Sequence, residues 1–112
     1  MRSLNSVEYW QELQKKSHEL PQVIFKHSNS CAISLGAFES LKLAEEAGAV
    51  PQDIHMLVVQ VSPELSAQIE EETDIVHESP QLLILKDGKI AFYANHYEVT
   101  GDILDEKLKE LS

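Results

Sequence analysis

Apolar residues fall along this chain in two rhythms. Short runs of strand length, Val23-Ile24-Phe25, Met56-Leu57-Val58-Val59 and Leu82-Leu83-Ile84-Leu85, alternate with stretches where apolar side chains return every three or four residues. Val7, Trp10 and Leu13 predict a first helix, opened by Asn5 and Glu8 at capping-box spacing and finished near Ser17, before Leu20-Pro21. Gln22 to His27 is then a strand. Ala37, Phe38, Leu41 and Ala44 predict a second helix that stops at Gly48. Ile54 to Val61 is a second strand, whose nearly continuous apolar centre suits burial on both faces. Ser62-Pro63-Glu64 starts another helix, with Ser62 as N-cap, Pro63 where its missing N–H costs nothing, and Leu65 and Ile69 inward as far as Asp74.

The remainder predicts a hairpin and a closing helix. Leu82 to Lys86 and Lys89 to Asn95 are joined by Asp87-Gly88, which readily takes the positive φ values of a tight β-turn. Ile90, Phe92 and Ala94 are expected on one face of the second arm and Lys89, Ala91 and Tyr93 on the other, as near a sheet edge. Thr100-Gly101-Asp102 then introduces a helix with Leu104, Leu108 and Leu111 on one stripe. The order is a helix followed by β-α-β-α-β-β-α. Two β-α-β crossovers imply parallel pairing and the hairpin adds an antiparallel pair. This is the thioredoxin-fold order: an α/β chain with a central four-stranded mixed sheet flanked by helices. Residues 1–112 are expected to form one domain, with no repeat or linker.

Composition narrows the function. A formal net charge of −10, from 19 acidic and 9 basic residues, argues against nucleic acid as a partner and is read as solubility. The densest acidic patch, Glu70-Glu71-Glu72 with Asp74, reads as the solvated end of a helix rather than a metal cage. No apolar run approaches the roughly 20 residues needed to cross a bilayer, and no stretch resembles a secretory signal. One cysteine cannot form an internal disulfide. A cytoplasmic protein, monomeric by default, is expected.

That cysteine, Cys31, follows polar Ser28-Asn29-Ser30 at the predicted junction of a strand and a helix. Unpaired N–H groups and the positive end of the helix dipole favour negative charge there, so the position suits a nucleophilic thiolate. The competing reading is a small buried hydrophobe. His27, the nearest imidazole, is a candidate for thiolate support, with a structural hydrogen bond at the strand end as the alternative. Lys26 and His27 are the basic groups near the thiol in sequence. His55, His77 and His96 are scattered without ligand spacing, so no metal site is expected.

Where thioredoxins carry Cys-x-x-Cys, this chain has Cys31-Ala32-Ile33-Ser34, without a resolving thiol. A monothiol that attacks a mixed disulfide keeps the small-thiol cap until another thiol removes it. Ser79-Pro80, just before the hairpin, stands where thioredoxin-fold proteins place a cis-proline opposite the nucleophile, a routine turn proline at the start of a strand being the alternative. Ser34 is a candidate hydrogen-bond donor to the thiolate, a serine facing solvent or a backbone carbonyl being the alternative.

The segment Lys26-His27-Ser28-Asn29-Ser30-Cys31-Ala32-Ile33-Ser34, with Phe38 and Ser79-Pro80-Gln81, resembles the monothiol bacilliredoxins, the YtxJ-like proteins of bacillithiol systems. Their hallmark is Thr-Cys-Pro-Ile-Ser after a Lys-His-Ser segment. Ser30 keeps the hydroxyl of the threonine, while Ala32 replaces the proline and restores an N–H at the first helical turn. The resemblance covers nearly the whole chain. It implies a thiol-disulfide oxidoreductase that removes bacillithiol from protein mixed disulfides. Cys31 would be the nucleophile, Ser30, Ala32, Ile33, Ser34, Ser79 and Pro80 would bind the incoming thiol, bacillithiol would be a co-substrate, and no cofactor would be held permanently. Its partners would be bacillithiol-capped proteins and a low-molecular-weight thiol. Two rivals stand beside it. A glutaredoxin-like monothiol protein would use glutathione or an iron–sulfur cluster, but Cys-Gly-Phe-Ser is missing. A non-catalytic thioredoxin-fold interaction module would make Cys31 incidental.

Overall fold

A computed structural model describes residues 1–111. The chain runs β1 (Arg2–Ser3), α1 (Val7–Lys16), β2 (Gln22–His27), α2 (Ala32–Glu46), β3 (Ile54–Val58), α3 (Pro63–Thr73), β4 (Gln81–Lys86), β5 (Lys89–Asn95), a 3-10 turn at His96–Glu98, and α4 (Gly101–Leu111). The strands form one mixed sheet in the order β1-β3-β2-β4-β5. β3 lies parallel to both β1 and β2, β4 runs antiparallel to β2, and β5 antiparallel to β4.

Among the described residues the sheet therefore has five strands rather than the four expected. The additional one, β1, pairs Arg2 with His55 and Ser3 with Met56, and the Leu4 N–H extends the contact to the Met56 carbonyl at 2.8 Å. Two exposed polar residues at a sheet edge carry no alternation that could announce a strand. β3 is shorter than expected, because the chain turns after Val58: the N–H groups of Val61 and Ser62 both donate to its carbonyl at 3.0 Å. The first helix is capped by Ser6, whose Oγ accepts from the Tyr9 N–H at 3.2 Å, and not by Asn5.

Strand alternation builds two cores. On one face Val23 and Phe25 of β2 and Leu82 and Ile84 of β4 pack with Ala37 and Leu41 of α2 and Leu104 and Leu108 of α4. On the other, Ile24, Leu83 and Leu85 pack with Trp10 and Leu13 of α1 and Leu65 and Ile69 of α3. α4 lies against α2 with little clearance, since a Cβ on Gly101 would stand 2.6 Å from the Ala44 Cβ and 2.9 Å from the Ser40 carbonyl oxygen.

The hairpin turns at Asp87 (φ 54°) and Gly88 (φ 77°), as its sequence predicts. Its tip is tied to the end of α1: the Asp87 N–H donates to the Ser17 carbonyl at 2.9 Å, and the Gly88 N–H to Ser17 Oγ at 2.8 Å. Along β5 the register shifts, Ile84 pairing with Phe92 but Leu85 with Ile90. Ala91 is the extra residue of this bulge. Ile90 consequently packs into the α1/α3 core while Phe92 and Ala94 face α2 and α4, which corrects the expectation that all three share a face.

Candidate active site

The strand-to-helix junction is built as a short polar turn between two well-anchored elements. β2 is buried along its whole length and ends at His27. Cys31 takes the N-cap position of α2 (φ −120°, ψ 121°), and its carbonyl accepts the first helical bond from Leu35 at 3.1 Å. The thiol makes no capping bond of its own. Cys31 is half-buried, and opens into a cavity of about 330 Å³ walled by His27, Ser28, Asn29, Ser30, Ala32 and Leu35.

Gln60, just after β3, holds this turn from the side. Its Nε2 donates to Ser28 Oγ at 2.8 Å and to Ser30 Oγ at 3.2 Å, while its Oε1 accepts from the Asn29 N–H at 3.1 Å. Three successive residues before the cysteine thus share one partner. A lone glutamine outside any motif gives no signal of this in the sequence.

His27 and Ser34 secure the turn from within. His27 sits between Phe25 and Phe38, with ring centroids 5.5 Å from each, and its Nδ1 lies 2.8 Å from Ser34 Oγ. The same Oγ accepts from the Ser28 N–H at 2.9 Å, so its own proton is free to go to His27. Ser34 is fully buried, and its Oγ has both its hydrogen bonds inside the protein. The Ser34 hydroxyl, a candidate donor to the Cys31 thiolate, is here engaged in a bond that joins β2 to α2. Burial pushes the His27 pKa down, against hydrogen bonds with the Ser34 backbone and the Asn29 side chain that raise it, so the ring is neutral at neutral pH and brings no positive charge to the thiol. Of its two candidate roles, the geometry displays the structural one.

The second expected landmark lies at the same end of the sheet. Lys26 pairs with Gln81, so Pro80, one residue before β4, falls level with the end of β2 that leads to Cys31. The Ser79–Pro80 peptide is cis. The Pro80 carbonyl accepts from the His96 N–H at 2.9 Å, and the His96 imidazole Nε2 lies 3.0 Å from Glu78 Oε2. Ala32 and Ile33 face a separate groove of about 270 Å³, shared with Gly36, Tyr97 and Thr100. Ser30, Cys31 and Ala32 are thereby brought to one cavity and Ile33 to its neighbour.

Lys26 is near the thiol in sequence but not in the wall of its cavity. It is fully buried on the opposite face of β2 from His27, with Nζ 3.2 Å from the Ser66 carbonyl and 3.4 Å from His77 Nδ1. Burial lowers its pKa to about 8, against the pull of the Glu70 carboxylate. It adds no charge to the surface around Cys31.

This arrangement is similar to known redox proteins throughout. A structure described as a candidate oxidoreductase with a thioredoxin fold is 25% identical, with a TM-score of 0.81 over 94% of this chain and 90% of that one. Fasciola hepatica thioredoxin is 18% identical, with a TM-score of 0.76 over the whole of both chains. Mitochondrial thioredoxin 3 from Saccharomyces cerevisiae is 18% identical, with a TM-score of 0.74 over 98% of this chain and 94% of that one. These two likenesses establish the fold alone. The profile of the monothiol bacilliredoxin BrxC family matches residues 2–104, almost the full length. With the fold and the single thiol at its helix start, that match makes the chain a member of the monothiol bacilliredoxin family and a thiol-disulfide oxidoreductase.

Proposed function

We propose that this chain acts as one thioredoxin-like domain in the cytoplasm and removes bacillithiol from protein mixed disulfides, with Cys31 as nucleophile. The observation that carries this is the position of the half-buried Cys31 as N-cap of α2, open to a cavity, with cis Ser79–Pro80 at the same end of the sheet. The Cys31 thiolate attacks the bacillithiol sulfur of the capped client. The client sulfur leaves as a thiolate and takes a proton from water, and Cys31 is left joined to bacillithiol. A second bacillithiol thiolate then attacks the bacillithiol sulfur of this disulfide, releasing bacillithiol disulfide and returning the Cys31 thiolate. No permanently bound cofactor takes part.

We assign contacts with the incoming thiol to Ser30 and Ala32 on the cavity wall, to Ile33 in the adjoining groove, and to Ser79 and Pro80 in the loop before β4. His27 and Ser34 act indirectly, by fixing the turn. Family membership and the lone cysteine support this assignment. Ala32, where the family hallmark has proline, leaves the preferred small thiol to be read by experiment: turnover on bacillithiol-capped and glutathione-capped protein, comparing wild type with Cys31→Ser. Bacillithiol release by wild type and none by the variant is the expected result. Faster release from the glutathione-capped client would move the co-substrate to glutathione. Failure on both clients at stoichiometric protein would leave an interaction module.

A further inference from the structure

Lys26 is a lysine with no exposure at all, near the end of the central strand β2. Removing an ammonium from water is costly, and the lowering of its pKa to about 8 records that cost. The neighbours do not need it for their own satisfaction. The Ser66 carbonyl lies inside α3, where helical bonding supplies a partner, and His77 Nδ1 also has Ser66 Oγ at 3.2 Å. An apolar side chain of the same length would fill the space without leaving an orphaned group. The return on this buried charge must therefore lie elsewhere than in packing.

What the ammonium does is join three parts of the molecule at one point. It starts from β2, whose end leads to Cys31, reaches the Ser66 carbonyl of α3, and meets His77 in the irregular segment between α3 and β4. His77 is also held through its N–H, which donates to Glu70 Oε2 at 2.6 Å. One residue earlier, the Val76 carbonyl accepts from Gln81 Nε2 at 2.9 Å, and Gln81 is the cross-strand partner of Lys26. Three residues after His77 comes Pro80.

We infer that Lys26 is a positioning residue for thiol-disulfide exchange: through His77 it fixes the 75–80 segment, and with it Pro80, relative to the turn that carries Cys31. This rests on the exchange chemistry proposed for Cys31 and adds to it the residue that sets the Pro80 segment at the same end of the sheet. Lys26 touches neither the thiol nor the client. Its loss should leave the thiol's own reactivity intact and disturb only reactions in which a bulky client must lie against the Pro80 segment.

The test is Lys26→Met, which keeps length and removes charge, alongside His77→Ala, which removes the other end of the tether at a half-buried loop position. Two rates are compared: alkylation of Cys31 by iodoacetamide, which needs no docking, and decapping of a mixed-disulfide protein. We expect alkylation within about twofold of wild type and decapping slower by about tenfold, the scale of a misplaced docking wall, with a raised KM for the client. Unchanged decapping in either folded variant would overturn the inference. So would a parallel fall in both rates, which would put the effect on the thiol itself. Should Lys26→Met fail to fold, His77→Ala decides alone. A wild-type protein that alkylates but decaps nothing would instead overturn the exchange chemistry, and the positioning role with it.

Discussion

Ser34 Oγ lies 2.8 Å from His27 Nδ1, joining the end of β2 to the first turn of α2, the two elements whose junction carries Cys31. The bond makes the turn a rigid unit, because the same oxygen also takes the Ser28 N–H. In thioredoxins the matching position of the Cys-x-x-Cys pair holds the second thiol. Here it holds a hydroxyl engaged in architecture.

Ser34→Ala would leave the Ser28 N–H without its acceptor and remove the partner of His27. Losing a partner of buried polar groups costs roughly 1–3 kcal/mol. The urea midpoint of unfolding should fall by the corresponding amount with its slope unchanged, and an unaltered midpoint would show that the turn does not depend on this bond.

Gln60→Ala separates local order from global stability. Gln60 is exposed and outside both cores, so the variant should lose less than about 1 kcal/mol. The Asn29 amide, however, loses its acceptor, the Gln60 Oε1. Its hydrogen exchange should become markedly faster than that of the β2 amides, and decapping should slow as Ser28 and Ser30 are released. Equal Asn29 protection in both proteins would remove Gln60 from the list of groups that shape the site.

Stability should also report the buried lysine through its pH dependence. Lys26 falls from 10.5 to about 8, chiefly by burial, with Glu70 pulling the other way and a neutral His77 beside it. Below pH 8 folded and unfolded chains both carry the proton, and the full penalty is present. From about pH 8 to 10.5 the unfolded chain holds more protons, so stability rises with pH, by up to about 3 kcal/mol. Lys26→Met should be the more stable protein at pH 7, and its advantage should shrink steadily above pH 8. On the acid side burial lowers the pKa of His27, His55 and His77 together. Stability should therefore decline as pH falls through about 6.5, where the unfolded imidazoles charge first. Denaturant titrations at a series of pH values check both limbs.

How legible these features were depended on whether a local pattern carried them. β2, α2 and the Asp87-Gly88 hairpin follow from apolar spacing and turn chemistry, and the structure has them where they were expected. β1 was invisible, because Arg2 and Ser3 pair only through backbone once β3 is in place. The bulge at Ala91 was invisible for a related reason: alternation assumes one partner per residue, and the register shift that turns Ile90 to the other face arises between strands. At the site, Cys31 announced itself as the only thiol, while Gln60 and Lys26 did not. A glutamine after a strand is normally solvated, and a lysine beside a polar turn is normally exposed. Each acquires its role from residues more than thirty positions away, Gln60 from Ser28 and Lys26 from Ser66.

The bulge in β5 has a bearing on how copies of this chain meet one another. A sheet with two open rims offers unpaired backbone to any passing strand, and a long straight rim is a template for self-association. One rim here is only two residues long, and the other is kinked at Ala91 and begins with the cation of Lys89. Neither presents the flat ladder that a second molecule would need to extend the sheet, so both rims work against edge-to-edge aggregation.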